Sequence, residues 1–430
     1  MDVPAGSLPR PTVRTGTLIV GASQSGLQLA ASLRELGDTA PITLVGEEPR
    51  APYQRPPLSK EFLAGSAELH SLEFRKPDWY ADAGIELVTG ERVTDLALSP
   101  GGHPGGAAVT ASGREIAFAR LALTVGAGPR RLRLPGADLD GICYLRDADD
   151  ALRLRTRLTG ATSVVVVGGG FIGLEAAAAA RAQGKHVTVV EAAPRLVSRN
   201  VAPVVSEFCR RAHERRGATV LLSATVTAFR GDRGSVRGVV LADGTELAAD
   251  LVVVGVGVVP RTELAERIDL ECDDGIVVDA HARTSAPSVV AAGDCTVRPD
   301  PLTGEGRMRL ESVQNAVAQA TVAAATLLGR FDDPRSVPWF WSHQGDVRLQ
   351  MAGLSAGYDE HVVRGEPDSE RFSVLYYREG RLLAVDAVNN PVDYMVVRKA
   401  LTQGVTIPAD KAADPATPLK SLLTASGVAA

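Results

Sequence analysis

One pattern occurs twice in the 430-residue chain: a β-branched run, a glycine-rich turn, a helical stretch, a second β-branched run and an acid. The first copy contains Thr17–Val20, the turn GASQSG, residues 27–36, Ile42–Val45 and Glu47. The second contains Ser163–Val167, the turn GGGFIG, residues 174–183, residues 187–190 and Glu191. Each copy predicts a βαβ unit that places a pyrophosphate at the N-terminus of its helix.

The second turn satisfies each steric requirement of such a unit. Gly168 permits the tight turn, Gly170 lets the backbone approach the phosphates, and Gly173 lets the helix pack on the strand. Glu191 stands where a carboxylate accepts hydrogen bonds from a ribose and repels a 2′-phosphate, which favours NADH over NADPH. Arg195, four residues later, is the residue that could accommodate such a phosphate instead.

The first turn is less regular. Gly21 and Gly26 are present, Ser23 occupies the middle position, and Glu47 supplies the acid. The serine is small, and its hydroxyl could face a phosphate. Two such units predict two dinucleotides, and FAD with a nicotinamide would make the chain a flavin-dependent pyridine-nucleotide oxidoreductase. The alternative is a pair of Rossmann-like domains that bind nothing.

Length and charge narrow the class further. A chain of 430 residues predicts two or three domains. The net charge is −5 and the basic residues are scattered, which argues against a nucleic-acid-binding protein. No apolar run approaches the roughly 20 residues that span a bilayer. The first 16 residues contain prolines and glycines and no apolar core, so they predict a flexible tail rather than a signal peptide. We therefore expect a cytoplasmic protein that binds no membrane.

The cysteines do not form a known redox or metal motif. Cys143, Cys209, Cys272 and Cys295 are far apart, with no C-x-x-C pair, so neither a zinc site nor a dithiol is indicated. Buried free thiols in a reducing compartment are the expected state.

Several further segments carry a resemblance to a known family. They are PYQRPPLSK at 52–60, TVGAGPRRL at 124–132, VVVVGGGFIGLE at 164–175, TSAPSVVAAGDC at 284–295, ESVQNAVAQA at 311–320 and PWFWSHQG at 338–345. Over residues 17–423 the chain resembles the FAD-dependent ferredoxin reductases of the putidaredoxin reductase type, which supply electrons to bacterial cytochrome P450 and ring-hydroxylating oxygenase systems. Two departures are Ser23, in place of the usual glycine, and Thr124-Val125-Gly126, in place of Ala-Thr-Gly.

The resemblance implies an α/β fold with two Rossmann-like dinucleotide-binding domains, in a glutathione-reductase-like architecture, and a small α+β C-terminal domain. The expected boundaries are a tail at 1–16, a discontinuous FAD-binding domain at 17–126 and 256–332, an NAD-binding domain at 127–255, and the C-terminal domain at 333–430. In that last part, RLQMAGL, FSVLYYREG and RLLAVDAVN alternate like strands of an antiparallel sheet, and a helix is expected near 396–402.

The resemblance also implies site residues. For FAD they are Gly21, Ser23, Ser25, Gly26, Glu47, Arg55, Lys60, Val93, Gly126, Arg130, Asp294, Val313 and Trp341. Ser25 and Gly26 would face the diphosphate, Glu47 the adenosine ribose and Asp294 the ribityl chain. For NAD they are Gly168, Gly170, Ile172, Gly173, Glu191 and Gly257. The aromatic run Trp339-Phe340-Trp341, with His343, would lie beside the flavin where an electron partner docks.

Lys60 and Glu175 are the predicted catalytic residues. Pro56 and Pro57 should stiffen a loop that holds Arg55 toward FAD. Lys60 is expected at the start of the following helix, aimed at flavin N5, where a cation favours the arrival of electrons. A buried lysine requires a carboxylate partner. Glu175, expected in the first turn of the nicotinamide-domain helix, would reach Lys60 across a domain junction.

The chemistry implied is hydride transfer from NADH to flavin, followed by two single-electron transfers to a separate [2Fe–2S] ferredoxin that feeds a cytochrome P450 or a ring-hydroxylating oxygenase. Disulfide reductases and NADH peroxidases need cysteine in the segment at 52–65, which has none. Two alternatives remain open. One is a reductase of rubredoxin or monodehydroascorbate. The other is an NAD(H)-binding signalling flavoprotein similar to apoptosis-inducing factor.

Overall fold

A computed structural model describes residues 16–301, 303–304, 306–331 and 336–425. The chain divides into two compact units. The first unit comprises Met1–Gln54, Glu73–Gly128 and Val259–Ser336, and the second comprises Arg55–Leu72, Pro129–Val258 and Val337–Ala430. The tail predicted at 1–16 lies outside the described residues except for Gly16. The domain boundaries expected from the sequence stay a prediction.

The first unit contains a dinucleotide-type sheet. Its strands are β1 (Thr17–Val20), β2 (Ile42–Val45), β3 (Ile85–Val88), β4 (Val93–Leu98), β5 (Gly106–Thr110), β6 (Glu115–Phe118), β7 (Arg120–Leu123), β18 (Ile276–Val277), β19 (Val289–Ala291) and β20 (Thr296–Val297). Its helices are α1 (Gln24–Glu35), α2 (Pro77–Asp82), α6 (Glu263–Arg267), α7 (Val313–Leu327) and a short 3₁₀ helix (Pro100–Gly102). Strands β8 (Ala127–Pro129) and β17 (Val258–Pro260) contain the points where the chain leaves and re-enters this unit.

Five parallel strands of this unit pair in the order β19-β7-β1-β2-β3. The four residues of β1 are all buried, as expected for a central parallel strand covered on both faces. Helices α1 and α7 share an apolar core with this sheet, and the small side chains Ala320, Ala323 and Ala324 let α7 approach closely. Strands β4, β5 and β6 form a separate antiparallel sheet.

The second unit contains several sheets. Its strands are β9 (Ile142–Tyr144), β10 (Ser163–Val167), β11 (His186–Val190), β12 (Thr219–Leu221), β13 (Val226–Asp232), β14 (Ser235–Leu241), β15 (Glu246–Ala248), β16 (Leu251–Val254), β21 (Trp339–Gln344), β22 (Val347–Gly353), β23 (Glu360–Glu366), β24 (Arg371–Arg378), β25 (Arg381–Val388), β26 (Val405–Thr406) and β27 (Thr424–Ala425). Its α-helices are α3 (Ala148–Gly160), α4 (Phe171–Ala182), α5 (Pro203–Arg215), α8 (Pro391–Gln403) and α9 (Ala409–Ala412). Its 3₁₀ helices are Pro56–Ser59, Leu69–Leu72, Pro367–Ser369 and Leu419–Leu422.

A parallel sheet in the order β12-β11-β10-β16-β9 forms the second dinucleotide-type fold, and β13, β14 and β15 form an antiparallel sheet. The C-terminal sheet is antiparallel in the order β21-β22-β25-β24-β23, and α8 packs on it through Tyr394, Val397 and Ala400. The predicted fold class is confirmed. Within the described part of the chain, no helix is long and apolar enough to cross a membrane.

Helix starts differ from those predicted. The helices expected at 27–36 and 174–183 begin three residues earlier, at Gln24 and Phe171, because the last residues of each glycine turn are already helical. The helix expected near 396–402 begins at Pro391, a residue suited to a first helical position.

Candidate active site

The first glycine turn is closely packed. Gly21 has φ +116°, and a Cβ added there would lie 2.2 Å from the Thr124 carbonyl oxygen. A Cβ at Gly26 would lie 2.0 Å from the Gly21 carbonyl oxygen. A Cβ at Gly293 would lie 2.4 Å from the Ser25 hydroxyl. These contacts bring the turn before Asp294 against the N-terminus of α1, so the predicted diphosphate and ribityl residues are neighbours.

Buried donors surround the same turn. The Gly293 N–H donates to Gln319 Oε1 at 2.8 Å, and Ser312 caps α7 by accepting from the Asn315 N–H. Within the described residues, Gln319 Nε2 and Arg298 Nε are buried and have no hydrogen-bond partner. An acceptor-rich group such as FAD can satisfy donors of this kind. The glycine cradle and these donors therefore fit a bound FAD.

Glu47 lies just beyond the end of β2 and is paired with arginines. Arg261 donates to its carboxylate at 2.7 Å, and Arg92 lies 3.8 Å away. Both arginines were missed in the sequence, because neither is near Glu47 along the chain. Val93 begins β4 and is buried, and Gly126 adopts a positive φ of +65°. The assignments of these residues to FAD stay predictions.

The second glycine turn is also too closely packed to accept a Cβ at its first and last glycines. Gly168 has φ +107°, and a Cβ there would lie 2.4 Å from the Gly255 carbonyl oxygen, while one at Gly173 would lie 2.2 Å from the Gly168 carbonyl oxygen. At Gly170 the nearest described atom would be 4.0 Å away, so this side of the turn is open to a ligand. Ile172, in the first turn of α4, has 41% of its surface exposed. The turn fits a bound dinucleotide.

Glu191 holds this turn from the end of β11. Its Oε2 accepts from the Gly169 N–H at 2.6 Å, and its Oε1 accepts from the Ala193 N–H at 2.7 Å. The Arg195 guanidinium donates to the Val201 and Ser198 carbonyl oxygens and to the Ser206 hydroxyl. These contacts use three of its five N–H donors and hold Arg195 against its own loop.

The Pro-Pro segment has a different local structure from the expected loop. Pro56 and Pro57 occupy the first turn of a 3₁₀ helix, where their missing N–H groups need no partner. Lys60 therefore follows the end of a helix, and the prediction that it begins one was wrong. Arg55 precedes this helix and donates to the Arg146 carbonyl oxygen at 2.8 Å.

Lys60 and Glu175 form a buried ion pair. The Lys60 ammonium lies 2.7 Å from Glu175 Oε2, and their side chains are 11% and 3% exposed. Lys60 also donates to the Pro56 carbonyl oxygen at 3.1 Å. Helix α4 begins at Phe171, so Glu175 lies in its second turn, not in the first as predicted. Residues 55–72 belong to the same compact unit as α4, so the contact predicted across a domain junction lies within one unit.

Two serines complete the environment of Glu175. Ser59 donates to Glu175 Oε2 at 2.5 Å, and Ser342 donates to Glu175 Oε1 at 2.7 Å. Neither serine was identified from the sequence. Ser59 could have been found as the neighbour of Lys60, whereas Ser342 lies 167 positions from Glu175 and has no sequence signal.

The aromatic run forms β21, whose residues alternate between two faces. Trp339 and Trp341 stack with ring centroids 5.3 Å apart, and Phe340 contacts Phe171 of α4 at 4.7 Å. Ser342 follows Phe340 on the face toward α4. Burial, and then the positive charges of Lys60 and Arg348, lower the pKa of His343.

The structure also gives the positions of the other residues that were singled out in the sequence. The Arg130 N–H donates to the Gly257 carbonyl oxygen at 2.9 Å, so these two lie together in the second unit. Val313 begins α7, and Asp294 is half-buried. The four cysteines are free, and burial raises the pKa of Cys209 and of Cys295 to about 12. Such thiols are poorly suited to thiolate chemistry.

Comparison with known proteins identifies the family. The family model described as pyridine nucleotide-disulphide oxidoreductase matches residues 15–320, and one described as reductase C-terminal matches residues 339–423. The chain therefore belongs to the pyridine nucleotide-disulphide oxidoreductase family and is an oxidoreductase dependent on FAD and NAD(H).

Individual relatives resemble it over nearly the whole chain. It is 44% identical to rhodocoxin reductase of Rhodococcus erythropolis over 92% of each chain. The ferredoxin reductase for the CYP199A2 system from Rhodopseudomonas palustris is 40% identical, with a TM-score of 0.91 over 96% of this chain and 100% of that one. The reductase in a covalent putidaredoxin reductase–putidaredoxin complex is 38% identical, with a TM-score of 0.89 over 95% and 98%. The resemblance stated from sequence motifs is confirmed.

Proposed function

We propose that this protein is a cytoplasmic NADH:ferredoxin oxidoreductase whose partner is a [2Fe–2S] ferredoxin that feeds a cytochrome P450 or a ring-hydroxylating oxygenase. The observation that carries the proposal is the Lys60–Glu175 ion pair at 2.7 Å. Lys60 lies in the segment where the disulfide-reducing members of this architecture need cysteine. The free cysteines, two of them fully buried, agree with a reducing compartment.

Each of the two units binds one of the two cofactors. Bound FAD supplies the ability to accept two electrons together and release them singly. In the first unit, the turn from Gly21 to Gly26 offers backbone donors to its diphosphate, with Asp294 beside it. In the second unit, the turn from Gly168 to Gly173 binds the nicotinamide dinucleotide.

The Lys60 cluster supplies a fixed positive charge. Glu175 accepts from Ser59, Lys60 and Ser342, so its orientation is set by three donors. The bonds to Glu175 and to the Pro56 carbonyl oxygen fix the Lys60 ammonium, which therefore need not reorient when negative charge arrives on a nearby group. Burial strengthens this effect because little water screens the charges.

Glu191 should determine the choice of coenzyme. We expect Glu191→Ala to weaken NADH binding by roughly 10- to 100-fold, the range for a lost charged hydrogen bond, and NADPH binding by much less. The carboxylate helps NADH through the ribose hydroxyls but repels a 2′-phosphate. Dissociation constants measured by fluorescence quenching check this.

The matched control is Glu47→Ala, which removes the corresponding acid after β2. That variant should lose FAD more readily and leave the ratio of NADH to NADPH affinities unchanged. Equal losses of both coenzymes in Glu191→Ala would contradict the ribose assignment, because Glu191 would then act only by holding Gly169 and Ala193.

Partner choice is tested with NADH-driven cytochrome c reduction. Addition of a [2Fe–2S] ferredoxin should increase the rate of cytochrome c reduction at least about tenfold. Without ferredoxin, the reduced flavin must pass its electrons directly to cytochrome c, which is a poor acceptor for it. Rubredoxin and ascorbyl radical are tested in parallel. Turnover with either of them and none with several ferredoxins would replace the proposal with that alternative. A flavin that reacts slowly and forms a long-lived complex with NAD would favour the signalling function.

A further inference from the structure

A continuous series of hydrogen bonds extends from the Lys60–Glu175 pair to helix α5, within the second unit. Ser342 donates to Glu175 Oε1 at 2.7 Å. Gln344 Nε2 donates to the Ser342 hydroxyl at 3.3 Å. His213 Nε2 lies 2.9 Å from Gln344 Oε1. These hydrogen bonds join helices α4 and α5 through β21, a strand that comes much later in the sequence.

The donor direction along the chain is fixed by chemistry. Gln344 Oε1 can only accept, so His213 Nε2 must carry a proton and donate it. The Gln344 amide nitrogen can only donate, so the Ser342 hydroxyl accepts from it and directs its own proton to Glu175. Every bond therefore points the same way, and the Glu175 carboxylate is the terminal acceptor.

These residues are buried deeply enough that each bond matters. Gln344 is 2% exposed, Ser342 0% and His213 4%. Removing one member would leave a buried polar group without its partner, which is costlier than never having made the bond. Burial also lowers the pKa of His213, and the Arg216 charge acts in the same direction. A neutral imidazole with its proton on Nε2 suits the donor role.

We propose that His213 is a positioning residue for electron transfer: through Gln344 and Ser342 it fixes the Glu175 carboxylate in the orientation that holds Lys60. The inference rests on the proposed function in that Lys60 serves the bound flavin. His213 itself lies on α5, two residues before its end, and touches neither Lys60 nor Glu175 in the described contacts. Its effect is therefore transmitted by the side chains of β21.

The test compares three variants of the FAD-loaded full chain. His213→Leu removes the donor, and His213→Gln retains a donor of similar reach. Cys209→Ala perturbs the buried face of α5 one turn earlier and removes no member of the hydrogen-bond series. Three quantities are measured without any ferredoxin: the limiting rate of flavin reduction by NADH in stopped flow, the dissociation constant of NADH, and the flavin midpoint potential by reductive titration.

We expect His213→Leu to lower the limiting rate roughly tenfold, the equivalent of one lost hydrogen bond, and to lower the midpoint potential, with little change in NADH affinity. His213→Gln should restore both, and Cys209→Ala should alter neither. If His213→Leu fails to fold, Ser342→Ala with Ser342→Thr as its rescue tests the same chain. An unchanged rate and potential, or the same losses in Cys209→Ala, would overturn the proposal. Because no ferredoxin is present, failure here leaves the acceptor test unaffected.

Discussion

Replacement of Lys60 by methionine is expected to slow the reduction of bound flavin by NADH about 100-fold, the range for removing one fixed donor from a developing negative charge. Methionine keeps the volume of the aliphatic stem and removes only the ammonium. The variant should also be less stable, because Glu175 is 3% exposed and would retain only its two serine donors. Breaking a buried pair in this way costs about 3 to 5 kcal/mol.

A double variant separates the two effects. Lys60→Met combined with Glu175→Gln leaves no uncompensated buried charge, so its stability should recover while flavin reduction stays slow. Lys420→Met, at an exposed lysine, is the control for losing a positive charge. Stopped-flow absorbance of the flavin gives the rates. A rate equal to that of the unmodified protein would remove Lys60 from the mechanism.

Asp386 should make the stability of the protein fall as the pH rises. It is fully buried on β25, where Tyr376 donates to its Oδ2 and the Ala202 N–H donates to the tyrosine oxygen at 2.8 Å. Burial raises the pKa of this carboxyl from 3.8 to about 7. Between those values the folded state binds a proton that the unfolded state has released. The free energy of unfolding therefore decreases with pH, by up to about 1.4 kcal/mol per pH unit and about 4 kcal/mol in total.

The effect is measured as a difference. Asp386→Asn cannot titrate at this position. The urea-unfolding midpoint of the variant minus that of the unmodified protein should therefore increase between pH 4 and pH 7 and stay constant above pH 7. The pKa of His213 is lowered, which gives the opposite pH dependence, but that contribution is common to both proteins and cancels. Tyr376→Phe keeps Asp386, so its free energy of unfolding should still decrease as the pH rises. A pH-independent difference between Asp386→Asn and the unmodified protein would show that Asp386 is not the titrating group.

The sequence was most informative where local chemistry determines structure. Strands β1, β2 and β10 match their predicted bounds because their apolar runs end at glycine turns. Helices α1 and α4 begin earlier than predicted, because a glycine needed for close packing, such as Gly26 or Gly173, can also be helical. Glycine identity therefore reports the contact it permits more reliably than it marks an element boundary.

The environment of Glu175 shows what the sequence does not reveal. Lys60 and Glu175 were paired because a buried cation needs an anion and the family motifs contain both. Ser342, Gln344 and His213 were not found, since a serine in a strand and a histidine in a helix are common in cores and their partners lie more than 100 positions away. Only the fold brings β21 and α5 to the buried end of this ion pair.

The most direct test of the account is the stoichiometry of ferredoxin reduction. Under anaerobic conditions, a catalytic amount of the protein is mixed with excess [2Fe–2S] ferredoxin, NADH is added in small portions, and the bleaching of the iron–sulfur absorbance is recorded. The account predicts that about two ferredoxin molecules are reduced for each NADH consumed, because one hydride carries two electrons and each cluster accepts one. NADH consumption without bleaching, or bleaching only when rubredoxin replaces the ferredoxin, would contradict it.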